Sequence, residues 1–209
     1  MKKKILSLSL IIVTLCSVLA LGFANNVNAT MEMTSHNLLA PGYENQVREN
    51  NSTRTVYGEK WSSVPVNVYA DSSFDATYIS QLQQAISAWN STRVGTVLRY
   101  VGTIRNPYMV NGIGVTKAPI STAGTVGNTV LTYTGSTINK AVVTLNSNLS
   151  FNNGATTSGT YYLKSVFMHE LGHALGLDDN SDSSSIMYRY YTGRTALSSG
   201  DINDLDSLY

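Results

Sequence analysis

Apolar and polar residues alternate in several segments between residues 60 and 150. Val64, Val66 and Val68 alternate with polar or small residues, and this period of two predicts a half-buried strand. Further strands are predicted at 98–101, 113–116, 130–133 and 141–145, separated by clusters of Gly, Ser, Thr and Asn. This part of the chain is therefore predicted to supply most of a β-sheet.

Apolar residues three and four positions apart, the spacing of a helix that buries one face, occur in three segments. These segments lie at about 75–90, 161–176 and 199–208. Ser198 can cap the third helix, with Asp201 at the capping-box position. The order strand, helix, strands, helix and helix predicts an α+β fold in which helices pack on a sheet.

The first 29 residues have the pattern of a secretory signal peptide. Lysines at 2–4 precede an apolar run from Ile5 to Ala24, and Val27-Asn28-Ala29 offers a small-residue cleavage site. The alternative is an uncleaved membrane anchor, because the apolar run approaches the length that spans a bilayer. We expect cleavage, and therefore a secreted, extracellular protein that meets a membrane only through this peptide.

The cysteine content and the net charge of the secreted chain both depend on whether this peptide is removed. The single cysteine, Cys16, lies inside the apolar run, so the cleaved chain would form no disulfide bond. The peptide also carries three of the 14 basic residues and none of the 13 acidic residues. The remainder is slightly acidic and has no basic patch that could follow a phosphate backbone, which argues against nucleic acid as a partner.

Residues 30–57 show no apolar period, and 44–55 are rich in Asn, Glu, Arg and Ser. Such a composition is typical of a linker, a pro-segment or a flexible N-terminal extension. The predicted organisation is a signal peptide at 1–29, a flexible extension or pro-segment at 30–57, and one domain at 58–209. We expect this domain to be a monomer.

The most specific motif is His169-Glu170-Leu171-Gly172-His173 on the second predicted helix. Residues four apart lie on the same helix face, so both imidazoles can reach one zinc ion. Glu170 projects beside them and is placed to take a proton from a water molecule on the metal. The alternative, two surface histidines without a function, is disfavoured because the chain contains only 3 histidines.

A third ligand is expected after this helix, because catalytic zinc usually has three protein ligands and one open position. Gly176 can adopt the left-handed conformation that ends a helix, after which the chain can return toward the metal. The remaining histidine, His36, lies in the N-terminal extension. The residues therefore indicate a carboxylate, with Asp178, Asp179 and Asp182 as the candidates.

These motifs resemble those of the metzincin metallopeptidases, and within them the matrixins with their peptidase M10-type catalytic domain. HELGHALGLDD at 169–179 resembles the zinc-binding signature, and SIMY at 185–188 resembles the methionine turn. LSSGDINDLDSLY at 197–209 resembles the C-terminal helix, and AVVTLNSNLSF at 141–151 resembles the substrate-flanking strand and the segment after it. The resemblance covers roughly 61–209.

The resemblance implies a metzincin-like α+β domain. Its expected parts are a twisted, mostly parallel sheet, two long helices packed on it and a small C-terminal subdomain ending in a helix. It also implies that 58–209 is the catalytic domain of a zinc endopeptidase acting on proteins or peptides. His169 and His173 would be metal ligands, Glu170 the catalytic base, and Met187 a structural residue beneath the metal.

Two departures from the matrixin pattern concern the metal. Asp179 stands where matrixins have the third histidine, as in some small secreted bacterial metzincins. The expected ligand set is therefore His169, His173 and Asp179, and the expected source is a bacterium. The histidines that hold a second, structural zinc ion in many matrixins are absent, so we expect one catalytic Zn²⁺, with Ca²⁺ possible in the loops.

A third departure concerns latency. Matrixins often silence their zinc with a cysteine of the pro-segment, which this chain does not have. His36, Glu44 and Glu49 are the candidates for a replacement.

Several residues are expected to shape the substrate site. The loop 182–195, with Tyr190, Tyr191 and Arg194, is predicted to form the wall of the pocket for the residue after the cleaved bond. Tyr188 is either a hydrogen-bond donor to the transition state or a wall residue, and we favour the wall. The strand at 141–145 is expected to hold an extended peptide by main-chain pairing.

Two other functions remain open from the sequence. The altered third ligand is compatible with a non-catalytic secreted binding protein that retains a metallopeptidase fold. An exported chain without disulfides is compatible with a hydrolase of peptidoglycan cross-links.

Overall fold

The computed structural model of the chain describes residues 30–43, 56, 58–154 and 159–209. Eight strands are present there: β1 (Met31–Leu39), β2 (Val66–Asp71), β3 (Leu98–Ile104), β4 (Ile113–Ala118), β5 (Thr125–Thr134), β6 (Thr137–Asn146), β7 (Ser150–Asn152) and β8 (Thr160–Tyr162). The helices are α1 (Ala76–Asn90), α2 (Leu163–Ala174) and α3 (Ser199–Leu208), with a short 3₁₀ turn at Pro107–Met109. The predicted signal peptide, Glu44 and Glu49 lie outside the described residues.

Six of the strands form one mixed sheet in the order β1-β5-β6-β4-β2-β3. The pairings β6–β4, β4–β2 and β2–β3 are parallel, whereas β1–β5 and β5–β6 are antiparallel. The short strands β7 and β8 form a separate parallel pair. The predicted α+β class, with a sheet in which parallel pairings predominate, is confirmed.

Strand β6 contains the segment 141–145 that was expected to hold an extended peptide. That expectation is wrong, because β6 pairs with β5 along one edge and with β4 along the other. An extended peptide can join a sheet only at an edge whose main-chain groups are accessible. Strand β5, which packs against α2, is paired with β6 on one side and with the edge strand β1 on the other.

Strand β1 was not predicted, since residues 30–57 were expected to be flexible. Residues 31–39 pair antiparallel with β5, with Leu38 opposite Gly127. The methionines at the start of the strand, Met31 and Met33, are exposed, whereas Leu38 is buried. An edge strand is held by main-chain hydrogen bonds, which do not require apolar side chains at alternate positions. Because residues 31–39 are largely polar, a search for apolar alternation did not predict the strand.

Helix α1 begins where the sequence predicts. The Asp75 carboxylate accepts hydrogen bonds from the backbone N–H groups of Thr77 and Tyr78 at 2.8 and 3.0 Å. This is the contact that makes Asp a favourable N-cap. Within the described ranges, no helix is long and apolar enough to cross a membrane.

Helix α2 is shorter than the predicted 161–176. Tyr161 and Tyr162 belong to β8, and the helix ends at Ala174. Gly176 has φ of +102°, and the N–H of Leu177 returns to the carbonyl of Gly172 at 3.0 Å. The left-handed glycine therefore ends the helix as predicted and reverses the chain.

Two buried tryptophans tie α2 to the rest of the domain. The indole N–H of Trp89 in α1 donates to the carbonyl of Met168 at 2.9 Å. The indole N–H of Trp61 donates to the carbonyl of Ala174 at 2.8 Å. Because α2 also packs on β5 and β6, it is enclosed on several sides and its position along the sheet is fixed.

Helix α3 carries the predicted capping box, in which Asp201 N–H donates to Ser198 Oγ and Ser198 N–H donates to the Asp201 carboxylate. The Asp201 side chain does more than cap. It accepts the backbone N–H of Ile186 at 3.0 Å and the hydroxyl of Ser185. A single buried carboxylate thus joins α3 to the turn at 185–187.

We predict that Asp201→Ala lowers the free energy of unfolding by about 2–4 kcal/mol, because it leaves the buried Ile186 N–H without an acceptor and removes a helix cap. Urea unfolding of the metal-free protein measures this. Ser207→Ala, an exposed change in the same helix, is the control and should stay within about 0.5 kcal/mol of wild type. Equal stability of Asp201→Ala and the control would contradict the role of Asp201.

Candidate metal centre

Three side chains that bind metals converge at the C-terminal end of α2. His169 and His173 lie one turn apart, and their Nε2 atoms are 2.9 Å from each other. Asp179 returns to them after the reversal at Gly176, and its Oδ1 lies 3.4 Å from each Nε2. In the described part of the chain, this is the only group of three such residues close enough to share an ion.

The spacing of these atoms fits a tetrahedral ion. Ligand atoms at roughly 2.0–2.1 Å from a tetrahedral zinc ion are about 3.3–3.4 Å apart. Both distances from the carboxylate oxygen have this value, and the separation of the two Nε2 atoms is slightly shorter. Two imidazoles and one carboxylate leave one tetrahedral position for another ligand.

Backbone carbonyls fix the protonation of both histidines. Nδ1 of His169 lies 2.8 Å from the carbonyl oxygen of Ile186, and Nδ1 of His173 lies 2.9 Å from that of Leu177. A carbonyl oxygen only accepts, so each neutral ring carries its hydrogen on Nδ1. Burial lowers the pKa of each histidine to about 4, so both rings are neutral at pH 7.

This protonation state determines what the site can bind. Both Nε2 atoms present lone pairs to the same point, and no hydrogen lies between them and an ionised Asp179. The Oδ1 atom of Asp179 is buried and accepts no hydrogen bond from the described residues. Burial raises the pKa of Asp179, and His169 and Arg189 oppose that rise. Three mutually repelling electron-pair donors of this kind are stabilised by a cation, and their types suit zinc.

The other two candidate carboxylates make different contacts. Asp178 Oδ1 accepts the backbone N–H of Asp179 at 2.7 Å. Asp182 is exposed and accepts both the N–H and the hydroxyl of Ser184 at 2.8 Å. The structure therefore brings Asp179 together with the histidines, and places Asp178 and Asp182 outside the group.

Glu170 is fully buried beside the metal group and faces β5. Its Oε2 accepts the hydroxyl of Thr129 at 2.6 Å. The backbone of Gly127 lies so close that a Cβ there would approach Oε1 to 2.5 Å. Burial, with a contribution from the charge of Asp179, raises the pKa of Glu170 well above its ordinary value, although the Thr129 hydrogen bond opposes this. A carboxylate with a raised pKa can hold a proton near neutral pH.

Three supporting residues were missed by the sequence analysis. Thr129 and Gly127 shape the surroundings of Glu170, yet their strand pattern carries no sign of a partner 41 or more residues away. Asp201 was predicted only as a helix cap. Its bond to the Ile186 N–H also positions the carbonyl that orients His169. Residues that orient metal ligands without binding the metal can be distant in sequence, so only the tertiary structure reveals them.

Met187 lies on the inner side of α2. Its sulfur contacts Gly172, where a Cβ would come within 2.3 Å of it, so the glycine of the motif is needed for this close packing. Tyr188 follows at the surface, with its ring edge against Tyr190 at a centroid distance of 5.4 Å. These positions suit the structural and wall roles expected for the two residues.

His36 stands beside the metal group and is not one of its three members. Its ring stacks on that of His173 with centroids 5.0 Å apart, and its Nε2 lies 3.2 Å from the hydroxyl of Thr34. Burial, followed by the charge of His173, lowers the pKa of His36 to about 3. Of the three candidates for latency, this is the one that the described residues include. The suggested calcium site stays a prediction.

A family model and several known proteins match parts of the chain. The family model of the matrixins, peptidase family M10, matches residues 114–209. A segment of the chain is 48% identical over 48 residues to matrilysin of Felis catus, covering 21% of this chain and 18% of that protein. Another alignment is 41% identical over 51 residues to interstitial collagenase of Equus caballus, covering 23% of this chain and 11% of that protein.

A third relative is a putative matrix metalloproteinase of Trichoplusia ni ascovirus 2c, 43% identical over 47 residues, or 22% of this chain and 9% of that protein. The chain thus aligns with less than a fifth of the length of these curated relatives. The family match itself runs from the second residue of β4 through α3 and includes the whole group of His169, His173 and Asp179. Residues 114–209 of this chain therefore form a matrixin-like domain.

Proposed function

We propose that this chain is a secreted zinc-dependent endopeptidase, with His169, His173 and Asp179 as zinc ligands and Glu170 as general base. The observation that carries the proposal is the convergence of two neutral imidazoles and the Asp179 carboxyl group next to the buried side chain of Glu170. The matrixin-like domain supports the same conclusion, since its relatives are named as metalloproteinases or collagenase.

A zinc ion held by this group would polarise the carbonyl of the bond to be cleaved and lower the pKa of an adjacent water molecule. Glu170 takes a proton from that water and returns it to the departing amine. Thr129 keeps the carboxylate directed into the cleft by its hydrogen bond to Oε2. The carbonyls of Ile186 and Leu177 keep the two Nε2 atoms aimed at one point.

The peptide substrate is proposed to bind along the outer edge of β5, because this strand supplies Gly127 and Thr129 to the surroundings of Glu170. An extended peptide would add there as a further strand. The opposite side of the cleft is formed by 189–191, within the loop predicted to be the pocket wall. A peptide held between two main-chain partners presents one bond to the general base.

The proposal also includes the details of the fold, the secretion, the substrate class and the oligomeric state that the sequence predicts. We take α1 and α2 to be the two long helices of a metzincin-like domain, and the residues after Gly176 to be its small C-terminal subdomain. The signal-peptide pattern at 1–29 supports secretion from a bacterial cell. We further propose that the substrate is a protein or peptide and that the active unit is a monomer.

We predict that the metal-free protein binds one zinc ion per chain and that Asp179→Ala weakens this binding by more than about 100-fold. The loss should exceed the 10–100-fold typical of outer-shell changes, because a direct ligand is removed. Competition with a fluorescent zinc chelator gives the affinity. Asp182→Ala removes an exposed carboxylate from the same loop and should bind zinc like wild type. Equal affinities in all three proteins would rule out Asp179 as a ligand.

We predict that Glu170→Gln lowers kcat for cleavage of casein by at least about 10²–10⁴-fold, because the amide cannot accept the proton of the attacking water. Zinc content should stay near one ion per chain, since Glu170 is not a ligand. Cleavage of casein and zinc content would be measured on the same sample. A Glu170→Gln protein with wild-type activity would eliminate the proposed mechanism.

The same assays separate the alternatives. Zinc binding without cleavage of any peptide or protein would favour the non-catalytic binding protein. Lysis of cell-wall suspensions without cleavage of casein would favour the hydrolase of peptidoglycan cross-links.

A further inference from the structure

Strand β1 makes main-chain hydrogen bonds to β5, and its last residue, Leu39, also makes them on the opposite side. It pairs antiparallel with β5 along its length, with a bulge between Leu38 and Leu39. On the opposite side, Leu39 N–H donates to the carbonyl of Arg189 at 3.1 Å, and the Leu39 carbonyl accepts the N–H of Tyr191 at 2.7 Å. The segment therefore occupies the space between β5 and the proposed pocket wall, which is where an extended peptide substrate would bind.

This strand covers Glu170. His36 lies opposite Thr129 and Leu38 lies opposite Gly127 in the β1–β5 register. These two β5 residues are the ones that contact the Glu170 carboxylate. Residues 36–38 consequently lie at the same level along the cleft as the general base.

Side-chain contacts hold these three residues in one position. The ring of His36 stacks on His173, and Leu38 is only 2% exposed within the core. The side-chain amide of Asn128 lies 2.8 Å from the carbonyl of His36 and 3.0 Å from Oδ1 of Asn37. Contacts on both sides of the Asn37–Leu38 bond therefore limit its movement within the cleft.

The amide nitrogen of Leu38 lies at the level of the general base, because Leu38 is opposite Gly127, whose backbone closely approaches Oε1 of Glu170. The leaving group of peptide hydrolysis is such an amide nitrogen, and the group that protonates it must lie beside it. The buried Leu38 side chain anchors the chain directly after this bond.

We infer that the peptide bond between Asn37 and Leu38 is a self-cleavage site and that residues 30–43 occupy the cleft as an internal substrate. This inference rests on the proposed peptidase function.

The cleavage is a hydrolysis that needs only water as co-reactant. The water oxygen bonds to the carbonyl carbon of Asn37 while the bond from that carbon to the Leu38 nitrogen breaks. One water hydrogen passes through Glu170 to the nitrogen, so that Leu38 becomes a new amino terminus and Asn37 a new carboxyl terminus. Because the bond already lies in the cleft of its own molecule, the rate should be first order and independent of protein concentration.

The test uses the full chain purified with a chelator and then mixed with equimolar zinc. Intact mass and amino-terminal sequencing should show a new terminus at Leu38 in the wild type and none in Glu170→Gln. Leu38→Lys should slow this cut at least tenfold, because a charged side chain cannot take the buried place of Leu38. Met33→Lys makes the same change at a side chain of β1 that is 69% exposed, and should be cut at the wild-type rate.

Cleavage of casein in the same samples distinguishes the two hypotheses. Casein cleavage without a Leu38 terminus, or a cut at another bond, would overturn self-cleavage at this bond and leave the proposed function intact. No cleavage of either protein would overturn both. Casein cleavage by Leu38→Lys would show that the variant is folded, so that its slow self-cleavage reflects loss of the internal substrate. A rate that rises with protein concentration would exclude an intramolecular reaction.

Occupancy of the cleft has a readout that needs no activity. In metal-free Glu170→Gln, the amides of 36–39 should exchange with deuterium slowly, as those of β6 do, because the segment pairs with β5 and Leu39 is also hydrogen-bonded to Arg189 and Tyr191. Exchange as fast as that of an exposed loop would show that β1 does not stay in the cleft, and would overturn the inference.

Discussion

Two hydrogen bonds from histidine Nδ1 atoms to backbone carbonyls set the chemistry of the centre. They make both Nε2 atoms of α2 lone-pair donors toward one point, and each depends on a different part of the fold. The Leu177 carbonyl is in place because the left-handed Gly176 reverses the chain after the helix. The Ile186 carbonyl is in place because buried Asp201, in α3, holds the N–H of the same residue. The centre therefore requires the helix end, the turn after it and the last helix together.

Charge is the second constraint on this centre. Glu170 is buried and Asp179 is partly buried beside it. Desolvation raises the pKa of both carboxyl groups. Two neutral imidazoles add no compensating charge at pH 7, whereas the charge of Arg189 lowers the Asp179 pKa. A divalent cation would balance the two carboxylates. With histidine as third ligand the same site would carry a net positive charge, so the aspartate changes the electrostatics of Glu170 as well as the ligand set.

Local patterns predicted the parts of this protein that depend on neighbouring residues. The helical spacing, the Ser198 cap and the helix end at Gly176 were all predicted, since each follows from residues within about one turn. His169 and His173 were expected from the motif, and the resemblance to the matrixin signature selected Asp179 from three aspartates. What the sequence did not predict depends on distant pairing: the order of strands that places β6 inside the sheet, the Thr129 bond to Glu170, and β1 itself. The alternation of apolar residues within one strand does not determine which strand will pair with it.

The position of β1 links stability of the domain to access to its centre. An exposed edge of β5 would present unpaired main-chain groups, and pairing with β1 removes that liability. The same pairing closes the approach to Glu170, whose full burial depends on what lies over the cleft. Any extended ligand that joins β5 must therefore displace hydrogen bonds that β1 already makes, including those of Leu39 to Arg189 and Tyr191. Binding at this edge is an exchange of one strand for another. Its free energy is the difference between two similar sets of main-chain bonds, so side chains such as Leu38 decide which strand is held.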